Sequence, residues 1–334
     1  MIDLNTLPTL SDVFGNAQQW LFEALVQPVV YGLGMGNLLE DAYEATGWLM
    51  IGLLQLLVMI CLLGPLQRWR PFEPLRDRVA VRVDMVYTLV HRLGLFRLLM
   101  FFSIEPLFDE VFGAARVHGI DGIQLDALMQ RWWPRVTDTA LASFALYLVV
   151  FDLLDYWIHR GQHGVNRWWA LHSLHHSQRQ MTMWSDNRNH LLDDMMRDAI
   201  IAFTARAIGV PPGQFVAVVS FTQLVESLSH INARLSFGAI GERLLVSPRF
   251  HRIHHGIGVG HEGPEPGTLG GCNFAVLFPV WDIIFGTAHI DARLDAPIGP
   301  TGVRDQLPEF GGKDYGRGFW IQQWLGLKRL VRGA

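Results

Sequence analysis

Lysine and cysteine are almost missing from this chain. Its 334 residues include two lysines, Lys313 and Lys328, and two cysteines, Cys61 and Cys272, with no CxxC pair. Two isolated thiols exclude a disulfide scaffold. Charge is scarce as well: Asp, Glu, Lys and Arg make up 17% of the residues, where a soluble domain carries about 25%. Neither sign dominates. A net charge of −4 and a pI near 6.4 exclude a strongly basic nucleic-acid binder. There is no low-complexity tract and no internal repeat, and 12 Trp within an 11% aromatic content exclude long disorder. Strand-type alternation is absent, so the expected fold class is all-α, a membrane-embedded helical bundle. No dinucleotide fingerprint, CxxCH haem site or HExxH helix is found; His261-Glu262 lacks the second histidine four residues on.

What the chain has in excess is apolar length and histidine. Half of its residues are hydrophobic and its mean hydropathy is +0.21. Residues 47–66 run for 20 positions without a charge, about 30 Å as a helix, which matches the bilayer core. Trp48 and Trp69 flank that run as interfacial anchors do. Residues 1–46 contain six acids and no Lys or Arg, whereas Arg68, Arg70, Arg76, Arg78 and Arg82 follow the run. Basic residues near span ends stay cytoplasmic, so the N-terminus is expected outside and the Arg cluster inside. A second span is expected around 85–112, interrupted by Arg92, Arg97 and Glu105 and therefore packed against protein or snorkelling. A third covers 139–158 and ends on the cytoplasmic side, directly at His159. The block 198–230 is split by Gly209-Val-Pro-Pro-Gly213 and reads as a re-entrant helical hairpin. Residues 16–39, with Pro28 and several glycines, read as an interfacial or re-entrant segment.

Of 14 histidines, eight fall into three clusters: His159 with His163, His172 with His175 and His176, and His251 with His254 and His255. Residues at i, i+3 and i+4 share a helix face, and imidazole is the commonest nitrogen ligand for first-row metals. His190 and His230 lie between the second and third clusters. Ten imidazoles suit two ions of about four to six ligands each better than one. His91, His118 and His289 stand alone and read as ordinary core or surface residues, and His261 in its Gly-rich loop is left open. Iron held by neutral imidazoles binds and reduces O2, which permits attack on an unactivated C–H bond. A substrate built of C–H bonds is a lipid, and the histidines sit where spans meet the cytosol. Asp152 and Asp155, seven and four residues before His159, are expected to accept hydrogen bonds from ligand rings; Asp186, Asp193, Asp194 and Glu226 are placed to do the same for His190 and His230.

The three clusters, followed by Asn273-Phe-Ala275 and Trp281-Asp-Ile-Ile-Phe-Gly-Thr287, resemble the histidine boxes and closing signature of the fatty acid hydroxylase/sterol desaturase superfamily. The resemblance covers roughly residues 140–290. It departs at Leu191, where many relatives have Pro, at Ala275, where Gly is usual, and in a long Gly/Pro-rich gap between His255 and Asn273. It implies a membrane enzyme with a cytosol-facing di-iron centre that hydroxylates or desaturates a lipid, fatty acyl chain or sterol-like substrate with O2 and two electrons. His190 and His230 fall where the family has intermediate ligands. The implied ligand set is His159, His163, His172, His175, His176, His190, His230, His251, His254 and His255, supported by Asp152, Asp155 and Asn273. The expected organisation is an outer or interfacial segment 1–46, transmembrane helices within 47–138, a catalytic domain over 139–290 and a tail 291–334. With no cofactor motif of its own, the chain needs an external reductase, ferredoxin or cytochrome. Arg68 to Arg82, Arg160, Arg167, Arg179 and Arg188 offer a surface for an acidic donor or for lipid headgroups. The cell inner membrane is the expected location if the source is bacterial. A membrane zinc hydrolase and a non-enzymatic metal carrier are the competing readings; the first lacks its HExxH helix, and the second needs ligands within the spans rather than at their ends.

Overall fold

A computed structural model describes residues 9–120, 122–134, 139–259, 271–290 and 298–332. His261, most of the loop 256–271 and the start of the N-terminal segment lie outside the described residues. Every regular element among those described is helical, and a single isolated bridge joins Gly256 to Thr301.

The chain begins with α1 (Leu10–Leu21) and α2 (Gln27–Gly32), then α3 (Leu39–Val58) and α4 (Gly64–Trp69). Each pair is joined by a π turn, Phe22–Val26 and Met59–Leu63, that stands just ahead of a proline, Pro28 or Pro65. A proline ring has no N–H to donate and clashes with the carbonyl four residues back; the widened turn relieves both problems without ending the helix. Gly36–Trp69 is therefore one 34-residue helical stretch, long and apolar enough to cross a membrane. The expected first span lies inside it.

Next come α5 (Arg78–Arg92), α6 (Leu95–Ser103), α7 (Glu105–Val117) and α8 (Leu125–Trp132). Here the structure corrects the sequence expectation. The region 85–112 is not one continuous helix: α5 and α6 together are long and apolar enough for a crossing but are bent by 52° at a short break, and α7 starts afresh. Gly94, at φ 83°, supplies the first break, and Pro106 in the first turn of α7 supplies the second. Its charges do have protein partners. Arg92 is buried and donates to Gln55 Oε1, Asp186 Oδ2, the Gln223 carbonyl and Ser227 Oγ, each at 3.1 Å. Arg97 lies over the Trp48 ring at 3.3 Å, and Glu105 pairs with Arg206. Gly52 of α3 makes the close approach of α5 possible, since a Cβ there would fall 1.7 Å from the Arg92 carbonyl oxygen.

The second crossing-length helix is α9 (Ala140–Gly164), capped by the Thr139 hydroxyl. It leads into α10 (Asn166–His176), then α11 (Leu191–Ala207) and α12 (Pro212–Ser229). The expected break between these last two falls at Gly209 (φ 67°) and the prolines that follow it. Tyr147, Leu148, Phe151 and Ile158 of α9 pack against Ile201 and Ala205 of α11, Val218 and Val225 of α12, and Leu277. The remaining helices are α13 (Gly238–Leu244), α14 (Pro248–His254), α15 (Val280–Ile284) and α16 (Phe319–Arg332), the last packed on α10 and α5. Outward-facing Leu53, Leu57, Ile60, Leu98, Phe102, Leu141 and Val149 lie exposed on the crossing helices and on α6, as lipid-facing residues do.

Candidate metal centre

The histidine helices are fixed by ordinary local signals. Ser247 caps α14 by accepting from the Phe250 N–H at 3.0 Å and donating to Glu242, with Pro248 in the first turn. His159 and His163 occupy the last turns of α9, His230 is the C-terminal cap of α12, and His255 that of α14.

Nine of the ten expected histidines come together. Ring nitrogens of His159, His163, His172 and His176 lie within 4.8 Å of one another, and so do those of His175, His230, His251 and His255. His254 joins His176 and His255 in a third group between the two sets. Each HxxHH cluster is thus shared. In α10 the i, i+4 pair, His172 and His176, enters the first set while His175 enters the second. In α14 the i, i+4 pair, His251 and His255, enters the second set, while His254 turns its ring toward His159 and His176 with centroids at 4.5 and 4.6 Å.

Protons alone cannot satisfy these rings. His230 donates from Nδ1 to the Glu226 carbonyl at 2.8 Å, which leaves its Nε2 a bare acceptor. His251 Nε2 lies 3.0 Å from that atom and also 3.1 Å from His255 Nε2. If His251 Nε2 carries a hydrogen for His230, it has no lone pair for His255. In the first set and beside it, buried Nε2 atoms of His172, His176 and His254 have no hydrogen-bond partner among the described residues. A stranded buried polar atom costs about 1–3 kcal/mol, so several together rival the whole stability of a domain, about 5–15 kcal/mol. A cation at the centre of each set resolves both problems. Neighbouring ring nitrogens of the second set lie 3.0–3.3 Å apart, close enough for them to share one ion. The donor set is all imidazole, suited to iron, copper, nickel or zinc. Burial, followed by neighbouring rings, pushes His175, His176, His251 and His255 well below the ordinary histidine value; burial holds His254 at about 3. The rings are therefore neutral, the form that binds metal.

The groups behind the rings differ from the sequence expectation. His172 Nδ1 pairs with Asp193 Oδ2 at 3.0 Å, and the other Asp193 oxygen accepts from Gln162 and Trp168 at 2.8 and 2.7 Å. Asp193 therefore serves His172, not His190 or His230. His159 and His254 donate from Nδ1 to the carbonyls of Phe274 and Cys272, both at 2.7 Å. Asp152 and Asp155 hydrogen-bond to no histidine. Asp152 accepts from the Leu277 and Phe278 N–H groups and from the Trp281 indole; Asp155 pairs with Arg197 at 2.9 Å. Asp186 pairs with Arg92, Asp194 with His91, and Glu226 with Arg197, so these carboxylates do not hold His190 or His230 either.

The closing signature has a mechanical role. Asp282 accepts from the Phe274 and Ala275 N–H groups at 2.8 Å and from Thr287 at 2.6 Å. Asn273, at φ 59°, bonds Phe250 of α14 and both backbone groups of His289. A left-handed backbone suits Asn among non-glycine residues. Together Asp152, Asp282 and Asn273 lock the segment whose carbonyls orient His159 and His254.

His190 stands outside the sets. Its Nδ1 caps α11 by accepting from the Leu192 N–H at 3.1 Å, and its Nε2 donates to the Gln323 carbonyl at 2.9 Å. Both nitrogens are spent, so the sequence expectation that it binds metal is corrected: it fastens α11 to α16. Its position between the clusters gave no hint of this, because Gln323 is 133 residues away.

Beside both sets lies a small, open cleft lined by His159, His172, His175, His230 and His251 together with Asp155, Asp194, Arg197 and Glu226.

A family model described as fatty acid hydroxylase matches residues 144–287. Among curated proteins, the chain is similar to an ornithine lipid hydroxylase, OlsE of Rhizobium tropici, 27% identical over 172 residues, 51% of this chain and 49% of the relative. It is similar to the alkylglycerol monooxygenase of Homo sapiens, 30% identical over 150 residues, 45% of this chain and 31% of the relative. A fatty acid hydroxylase, vlmA of Lecanicillium sp, is 21% identical over 173 residues, 47% of this chain and 43% of the relative. The alignments cover about half or less of these relatives. No solved structure matches.

Proposed function

We propose that the chain is a member of the fatty acid hydroxylase/sterol desaturase superfamily, since a fatty acid hydroxylase model matches residues 144–287, and that it is an O2-dependent di-iron hydroxylase acting on a C–H bond of a membrane lipid. The observation that carries this reading is the pair of four-imidazole sets whose rings cannot be satisfied by protons. An iron pair held there supplies reduction of O2 and the oxidising power for C–H attack. His159, His163, His172 and His176 hold one ion, His175, His230, His251 and His255 the other, and His254 stands between them. Asp193 and the carbonyls of Phe274, Cys272 and Glu226 fix the ring tautomers. Hydroxylation is favoured over desaturation because the relatives are named hydroxylases and monooxygenases.

The cleft gives the substrate its path. Asp155 and Glu226 line it one turn before His159 and His230 on their helices. Its lining there is ionic, so the polar part of the lipid, rather than mid-chain methylenes, sits beside the rings. We take residues 139–290 as the catalytic unit, 47–138 as its membrane scaffold, and the inner face of the cell membrane as its location, with electrons from an external carrier protein. Two measurements test the reading: metal analysis of protein from its native host, and mass spectrometry of host lipids with and without the gene. Iron in the protein and a gene-dependent lipid gain of about 16 Da are expected. Zinc alone, or no lipid change with iron and donor supplied, overturns it.

A further inference from the structure

Helix α16 is built inside out. Its protein-facing side is polar: Gln322, Gln323, Gly326 and Arg329 are buried, with Gln322 only 1% exposed. Each of the three polar side chains there makes at least one hydrogen bond. Gln322 accepts from the Tyr87 hydroxyl at 2.9 Å, Gln323 Oε1 accepts from the Leu191 N–H at 2.8 Å, and Arg329 donates to the Ala170 carbonyl at 3.0 Å. The outward side carries Trp320, Trp324 and Val331, exposed at 75%, 58% and 85%, together with Ile321. In water that arrangement leaves a continuous apolar stripe uncovered, which soluble surfaces avoid.

Three observations say what covers it. At 14 residues the helix reaches about 21 Å, too short to cross a bilayer core of about 30 Å. Its composition, two Trp outward with Lys328, Arg329 and Arg332 and no acid, is that of a helix lying in the interface of an anionic membrane. The helix also packs against elements that carry outward apolar residues of their own. Phe319 packs on Tyr87 of α5 at 4.6 Å, and α5 turns Val79, Val86 and Leu89 outward; Gln323 holds the start of α11, which turns Met196 and Ile200 outward.

We infer that α16 lies flat in the lipid interface, its outward Trp stripe among the acyl chains and headgroups, and ties the histidine-bearing helix α10 and His190 to the membrane surface. Membrane seating thus reaches the metal centre through Gln323, Gly326 and Arg329. A Cβ at Gly326 would fall 2.3 Å from the His190 ring, so this contact has no slack.

The test places single spin labels at Ile321→Cys, Trp324→Cys, Val331→Cys and, as an aqueous reference, Asp314→Cys, in full-length protein with Cys61 and Cys272 replaced. The protein is held in nanodiscs of phosphatidylcholine and phosphatidylglycerol. Collision rates with O2 and with a water-soluble nickel chelate are then measured. The expected result is an O2-to-nickel ratio several-fold higher at the three helix positions than at Asp314→Cys. Nickel access equal to the reference means a stripe open to water, and shielding from both reagents means cover by protein, such as a second copy of this chain. Either outcome overturns the inference, and neither bears on the metal chemistry.

Discussion

The two imidazole sets are equal in number and unlike in construction. The first draws His159, His163, His172 and His176 from α9 and α10, within 18 residues of chain. Its rings are oriented by a carboxylate, Asp193, and by the carbonyl of Phe274. The second draws His175, His230, His251 and His255 from three separate places, and the support behind its rings among the described residues is the carbonyl of Glu226. Exchange of the i+3 histidine between α10 and α14 stitches the sets together. The lesson is that a local spacing such as HxxHH places ligands on a helix without telling which ion each will serve.

The comparison breaks most sharply at the ligands. His175→Ala and His163→Ala, one from each set, are both expected to reduce turnover to background, because a two-ion site acts as a unit. Each is expected to remove about half the iron, as read by metal analysis with circular dichroism to confirm folding. Full iron content in either variant contradicts the assignment of that residue.

Acid is the next largest effect, and it acts on the metal-free protein. Burial holds His175, His176, His251 and His255 far below the usual value and His254 at about 3. As pH falls, the unfolded chain therefore binds protons before the folded chain does. Stability is full above about pH 6.5 and is lost progressively from there toward about pH 3. Thermal unfolding followed across that range checks the sign; a melting temperature that rises on acidification contradicts it.

Asp193 sharpens the contrast between the sets. Asp193→Ala removes the partner of His172 and is expected to weaken metal binding about 10–100-fold, at the first set only. Glu226→Gln leaves the carbonyl that holds His230 in place and is expected to keep metal affinity. Competition titration with a chelator distinguishes the two variants.

The smallest effect is expected at His190. His190→Ala removes a helix cap, a loss of about 0.5–2 kcal/mol, and should leave iron content unchanged. Denaturant unfolding alongside metal analysis checks both parts. Loss of an ion would return His190 to the ligand set.

Much of this was legible in the residues. The spans within Gly36–Trp69 and Ala140–Gly164 announced themselves in the uncharged run 47–66 and the apolar run 139–158, and the eight clustered histidines by helical spacing. The bend between α5 and α6 was foreshadowed by Gly94, and the break between α11 and α12 by Gly209 and its prolines. Asp193, by contrast, had no local signal: it sits beside His190 in the chain and serves His172 across the fold. Asp152 and Asp155 share a helix with His159 yet hydrogen-bond to other elements, since sequence proximity says nothing about what packs opposite. The inverted face of α16 becomes visible only when its buried side is seen to be the polar one.

Periodicity and hydropathy were enough to specify that this chain makes helices, that two of them can cross a bilayer, and which histidines share a helix face, because those properties depend on residue type and nearest turns. Sorting eight histidines into two sets with His254 between them, finding the groups behind the rings and placing His190 at a helix cap depended on contacts between residues up to 133 positions apart. Such contacts arise from packing of whole helices, and no short window of sequence contains them.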